Sequence, residues 1–99
     1  MYKQLHDSLT IKFSGIEGFG LFAKKDIPEG TNFGVSHMKM NGMLIRTPLG
    51  GFINHSDTPN CTKSKYFMTQ DYTRYDLVTL ENIDEGEELT LKYTFYNIK

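Results

Sequence analysis

The chain has 99 residues, 38% hydrophobic and 23% charged, the composition of one globular domain over residues 1–99 with a limited core. Lys+Arg 11 against Asp+Glu 12 leaves a net charge of -1, so no global basic field favours nucleic acid. No apolar run resembles a membrane span or signal peptide, which predicts an intracellular protein without membrane contact. One cysteine, Cys61, and three histidines, His6, His37 and His55, supply neither an internal disulfide nor a spaced zinc set, so no metal is expected and any cofactor is organic.

Seven Phe, six Tyr and nine Gly, with no Trp, predict a mostly β fold. Residues Met1 to Ser8 carry no usable period. Leu9-Thr10-Ile11-Lys12-Phe13 alternates apolar and polar residues, as a half-buried strand does, and Ser14-Gly15 ends it. Glu17-Gly18-Phe19-Gly20 follows, then the apolar run Leu21-Phe22-Ala23. Its two glycines permit positive φ or close approach of a ligand to bare backbone, but the third glycine and helix of a dinucleotide fingerprint are missing.

Ile27-Pro28-Glu29-Gly30 reads as a turn and is echoed by Ile83-Asp84-Glu85-Gly86, each after an apolar strand. The carboxylates Glu81, Asp84, Glu85, Glu87 and Glu88 around the second turn read as solvated loop surface. Thr31 to His37 is predicted as a strand and Met38 to Gly42 as a short connection containing the turn pair Asn41-Gly42, after which Met43 to Arg46 leads on through Thr47-Pro48. The interval from Gly34 to Gly50 is too short for a helical insertion.

Gly50-Gly51-Phe52-Ile53-Asn54-His55-Ser56-Asp57-Thr58-Pro59-Asn60-Cys61 joins two glycines and a short apolar strand to a polar triplet and a proline turn. Taken alone it is either a capped turn or a strand delivering polar groups to a bent backbone. Thr62 to Met68 continues as a polar strand, Thr69 to Arg74 as a hairpin loop, and Tyr75 to Leu80 as a strand. Glu88 to Tyr96 alternates strictly, with Leu89, Leu91, Tyr93 and Phe95 on one face. A buried tyrosine hydroxyl needs a partner, either a structural hydrogen bond or a reaction centre.

Gly18-Phe19-Gly20-Leu21-Phe22-Ala23, then Gly51-Phe52-Ile53-Asn54-His55-Ser56 with Pro59-Asn60-Cys61, then Gly86-Glu87-Glu88-Leu89-Thr90 with Tyr93 together resemble the SET-domain lysine methyltransferases. The likeness runs from Leu9 to Tyr96, and its most specific part is Asn-His-Ser-x-x-Pro-Asn. Brevity and the lead-in Arg46-Thr47-Pro48-Leu49-Gly50-Gly51 are most similar to the minimal SET proteins of viruses, phages and bacteria.

The resemblance implies a β-clip-like SET-domain fold of small curved sheets with a C-terminal pseudoknot, the final strand threading beneath an earlier loop. It implies an S-adenosylmethionine-dependent protein-lysine N-methyltransferase. The cofactor would lie against Glu17, Gly18, Phe19 and Gly20 and against Asn54 and His55. Tyr93 matches the catalytic tyrosine. The substrate, a protein or peptide containing lysine, would occupy a groove on the opposite face, its target lysine reaching the methyl through a narrow channel. Leu91 and Phe95, on the face of Tyr93, would wall that channel. Leu91 stands where family members carry Phe or Tyr that limits methyl number, so more than one methyl per lysine is expected.

Some features depart from the family pattern. No cysteine follows Tyr93 to build a zinc-binding tail, so Phe95, Tyr96 or a second protomer would close the channel, which makes a homodimer an expectation. Asp57 replaces a frequent cysteine, and Lys92 a common aspartate. The family's second channel tyrosine has no clear match, with Phe33-Gly34 and His37 as stand-ins. The alternative is a SET-like cofactor- or peptide-binding module with little or no transferase activity. Localisation would be cytoplasmic, or the host nucleus for a viral protein acting on histones.

Overall fold

The computed structural model describes residues 5–92. Eight strands and one short helix run in the order β1 (Leu9–Phe13), β2 (Phe19–Ala23), β3 (Asn32–Met40), β4 (Met43–Arg46), α1 (Pro48–Phe52), β5 (Asn54–His55), β6 (Cys61–Thr69), β7 (Tyr72–Thr79) and β8 (Glu88–Leu91). They form two four-stranded sheets, β1-β2-β8-β5 and β4-β3-β7-β6, so the described chain is mostly β, as its composition predicts. Leu21, Ile53, Leu77, Ile83 and Leu89 are enclosed in one core cluster. No helix of the described residues is long and apolar enough to cross a membrane.

The echoed turns pair with each other. Ile27 and Ile83 exchange backbone hydrogen bonds of 2.7 and 2.8 Å, and both side chains are buried. Ala23 N donates to Glu87 O as Thr79 N donates to Thr31 O, and Gly86 N donates to Ala23 O as Gly30 N donates to Thr79 O. Side chains repeat the relation: Glu29 N donates to Asn82 Oδ1 and Glu85 N to Asp26 Oδ1. Every contact maps onto its counterpart by the offset that carries Ile27 to Ile83. Gly30 at φ 84° and Gly86 at φ 91° supply the left-handed backbone that closes each turn. A local pseudo-twofold thus joins the end of β2 to the segment that launches β8.

Several predicted bounds shift. β3 continues to Met40 and turns through Asn41 (φ 50°) and Gly42 (φ 82°), the positive pair that a two-residue I′ hairpin needs. The predicted loop Thr69–Arg74 shrinks to a turn at Gln70-Asp71, because β6 and β7 pair up to Thr69↔Tyr72. The short apolar strand expected just before Asn54 is instead the last part of the single-turn helix α1, which also falls where no helix was expected. Thr47, extended at the N-cap with Pro48 in the first turn, donates through Oγ1 to Val35 O at 2.7 Å and through N to Ser36 O at 3.0 Å. Tertiary bonds to β3 therefore start this helix, with proline suited to its first turn. The alternation on β8 is incomplete, since Thr90 is buried beside Leu89 and Leu91.

Candidate cofactor cleft

β8 is the strand that assembles the site. It pairs antiparallel with β2 through Leu21↔Leu89 and Phe22↔Glu88, and parallel with β5 through Asn54↔Thr90 and His55↔Leu91. The chain between β5 and β8 passes through the second sheet, so two segments distant in sequence meet on either side of one strand. Ser56 N extends the parallel pairing by donating to Leu91 O at 3.2 Å. Asn60, read from sequence as a turn residue, is buried and bonds like a short strand: Thr90 N donates to its Oδ1 at 2.8 Å, and its Nδ2 donates to Glu88 O at 2.9 Å.

Glu17 and Gly18 from the β1–β2 turn, Phe19 at the start of β2, and Asn54 and His55 from β5 line one open cleft of about 560 Å³ together with Ile16, Gly51 and Phe52. Five of the six residues predicted to hold a cofactor therefore share one concave surface. Gly18 has φ 47° and open space where a Cβ would stand, so the turn conformation accounts for this glycine. Gly20, the sixth, is buried behind the cleft. A Cβ there would strike the Glu88 carboxylate and come 3.1 Å from Asn54 Nδ2, so close approach of protein groups accounts for the second glycine.

The Asn54 carboxamide ties the two walls together. Its Nδ2 donates to Glu17 O at 3.1 Å, to Phe19 O at 3.2 Å and to Glu88 Oε2 at 2.8 Å. Ser14 Oγ also donates to the Glu88 carboxylate, at 2.8 Å. Sequence reasoning missed Ser14 and Glu88, Glu88 because it reads as one of five clustered carboxylates. The available signal was its place at the start of an alternating strand. His55 Nε2 lies 3.1 Å from Asp57 Oδ1, and His55 is largely exposed.

The remaining predicted residues divide. Leu91 is buried in the core and borders a second cavity of about 280 Å³ with Pro59, Cys61, Leu80 and Lys63. Tyr93 and Phe95 lie outside the described residues. Of the stand-ins for a second channel tyrosine, Phe33 packs edge-on against His6 at 5.2 Å, while His37 is fully enclosed against α1. Burial, with Lys63 and then Arg46 nearby, lowers the His37 pKa to about 4. Burial, reinforced by Glu81, raises the Cys61 thiol to about 12 despite a backbone bond from Thr90, which leaves it protonated at neutral pH.

The cleft suits an organic ligand with both flat apolar and polar parts. Ile16, Phe19 and Phe52 stand 53%, 49% and 38% exposed around it, an apolar surface that a ring system would cover. Phe19 is braced by stacking on Phe13 at 4.6 Å. Asn54, His55, Glu17 and turn backbone supply the polar groups.

Two small four-stranded sheets joined by a pair of pseudo-twofold-related turns, with an open cleft beside a short parallel pairing, define a small β-rich domain of the SET type. The SET domain family matches residues 36–94, and the chain belongs to that family. The matched segment includes Asn54, His55 and Tyr93, and the β1–β2 turn precedes it. The chain is 32% identical over 108 residues to a histone-lysine N-methyltransferase, H3 lysine-36 specific, of Mycosarcoma maydis, covering 78% of this chain and 11% of that protein. It is 41% identical over 58 residues to a histone-lysine N-methyltransferase, H3 lysine-4 specific, of Emericella nidulans, covering 56% of this chain and 5% of that protein. This chain thus spans about a tenth or less of the length of these relatives. A crystal structure of a candidate histone methyltransferase from Plasmodium falciparum shares the fold, with a TM-score of 0.70 and 17% identity over 89% of this chain and 94% of that one.

Proposed function

We propose that this chain is an S-adenosylmethionine-dependent protein-lysine N-methyltransferase, a single SET domain acting on a lysine side chain of a protein substrate. The observation that carries the proposal is the convergence of Glu17, Gly18 and Phe19 with Asn54 and His55 around one cleft beside β8. The family membership and the names of the fungal relatives support the same activity.

When bound, S-adenosylmethionine would supply a methyl group activated by an adjacent sulfonium. Phe19, Ile16 and Phe52 would cover its apolar part, and Asn54, His55 and the turn backbone its polar part. A lysine amine has a pKa near 10.4 in water and must be neutral to act as a nucleophile, so an apolar passage that disfavours the ammonium form is needed. Leu91, buried and bordering the second cavity, suits the wall of such a passage, and leucine there leaves room for more than one methyl.

Tyr93 would orient the amine through its hydroxyl. It follows Leu91 by two residues, a chain length that spans about 7 Å at most, and Leu91 is paired with His55. Alignment of reacting groups is what the protein contributes to such a transfer. A histone tail is the substrate class that the relatives' names support, which would place the activity in a nucleus. Phe95, Tyr96 or a second protomer would complete the channel.

The test is incubation with methyl-labelled S-adenosylmethionine and a panel of basic proteins, comparing wild type with Tyr93→Phe. Labelling that falls about a hundredfold or more in the variant is expected. Equal labelling by both proteins would remove Tyr93 from the transfer. Cofactor binding without transfer by wild type would favour the SET-like binding module instead.

A further inference from the structure

We infer that Glu88 is the positioning residue of the cleft, the group that sets the Asn54 carboxamide and the Ser14–Gly20 turn in the arrangement that receives the cofactor. This deepens the functional reading above and rests on it. The amide nitrogen of Asn54 carries two hydrogens but faces three acceptors, Glu17 O, Phe19 O and Glu88 Oε2. The carboxylate takes the shortest of these bonds, at 2.8 Å against 3.1 and 3.2 Å, and a bond to an ionised acceptor is the stronger kind. All three acceptors require Nδ2, and not Oδ1, to point toward the turn, and the carboxylate holds one of its hydrogens most strongly. The two carbonyls then share the other hydrogen, and the turn is drawn onto β5.

Ser14 secures the opposite end of the same turn. Its Oγ donates to Glu88 and accepts from Ile16 N at 2.9 Å, while its N donates to Gly18 O at 2.7 Å. Gly20 completes the arrangement from behind, since any Cβ there would displace the carboxylate. One side chain thus holds Asn54 directly and the turn through Ser14, without lining the cleft itself. The carboxylate would act only through Asn54 and the turn, so its loss should weaken cofactor binding more than the transfer step.

Glu88→Ala and Glu88→Gln separate this role from a merely stabilising one. Glutamine can keep its oxygen toward Asn54 and turn its NH₂ toward Ser14 Oγ, whereas alanine keeps neither bond. Three quantities are read: KM against kcat for S-adenosylmethionine, its Kd by calorimetry, and hydrogen exchange of the Ile16 to Gly20 amides in ligand-free protein. In Glu88→Ala the expected result is a rise of about tenfold or more in KM and Kd, kcat at saturation within about threefold, and turn exchange faster by about tenfold. Glu88→Gln should recover most of each change. Unaltered Kd and unaltered turn protection in Glu88→Ala would overturn the inference, as would equal loss of kcat in both variants with Kd unchanged. Failure of wild type to bind the cofactor would defeat the functional reading, and the exchange comparison would still decide whether Glu88 sets the turn.

Discussion

Gly50 of α1 lies directly on the His37 ring of β3: a Cβ added at Gly50 would stand 2.8 Å from His37 Cε1 and 2.9 Å from Nε2, and would also strike Ser36 O. Because the obstruction includes backbone, the helix must move to accept a side chain. Gly50→Ala should cost about 1–3 kcal/mol, read from chemical denaturation. As α1 carries Gly51 and Phe52 to the cleft, cofactor affinity should fall in the same variant. Unchanged stability would show that α1 is not seated on β3 in this way.

The same histidine predicts a pH dependence. His37 has its pKa lowered from 6.5 to about 4, by burial first and then by Lys63 and Arg46. The unfolded chain therefore binds the proton more readily than the folded one. The stabilising contribution is complete above pH 6.5 and is lost as pH falls from there toward 4, amounting to roughly 3 kcal/mol across the window. Urea unfolding between pH 7.5 and 4.5 should show this slope in wild type and a shallower one in His37→Gln. Identical slopes in the two proteins would assign the acid sensitivity elsewhere.

Asn60 is predicted to matter more than a turn residue normally does. Its carboxamide accepts from Thr90 N and donates to Glu88 O, standing in for a strand neighbour at the centre of the site. Asn60→Ala would leave both backbone groups without that partner, at about 2–4 kcal/mol, and would release β8 beside Asn54. Thermal unfolding checks the first effect. A variant as stable as wild type would mean that other groups or water replace the carboxamide.

Cys61 should resist modification. It is 1% exposed, and its thiol is raised to about 12, so little thiolate exists at neutral pH. Alkylation of native protein should run about a hundredfold slower than in denaturant. Rapid alkylation of the native form would show that this part of the core opens readily.

The legibility of these features in the sequence follows their physical origin. Leu9 to Phe13 is readable as a strand from its alternation, although burial falls along the strand instead of alternating, from Leu9 in the core to Phe13, 79% exposed and stacked on Phe19. The two Ile-x-Glu-Gly turns were readable as an echo, though their mutual pairing was not, since backbone hydrogen bonds leave little trace in side-chain identity. β7 begins earlier than predicted, at Tyr72, because Tyr72-Thr73-Arg74 reads as polar loop, whereas the structure pairs it with β6 through backbone and sets Arg74 over the Tyr66 ring. α1 escaped because five residues carry too little period, and Thr47 starts the helix through bonds to β3. The two glycines of Gly18-Phe19-Gly20 are legible as a pair, but only the folded structure separates a turn role for Gly18 from a packing role for Gly20. Glu88 and Asn60 stand in the motifs that carry the resemblance, but their bonding roles do not show in composition, where one reads as a solvated carboxylate and the other as a turn residue.

The account turns on where S-adenosylmethionine binds, and amide chemical-shift mapping during titration of ¹⁵N-labelled protein reads that directly. The predicted result is a saturable set of shifts concentrated at residues 16–20 and 51–55, the two walls joined by Asn54. Shifts centred instead on the cavity beside Cys61 and Leu80, or on the paired turns at Ile27 and Ile83, or no shifts at all, would contradict it.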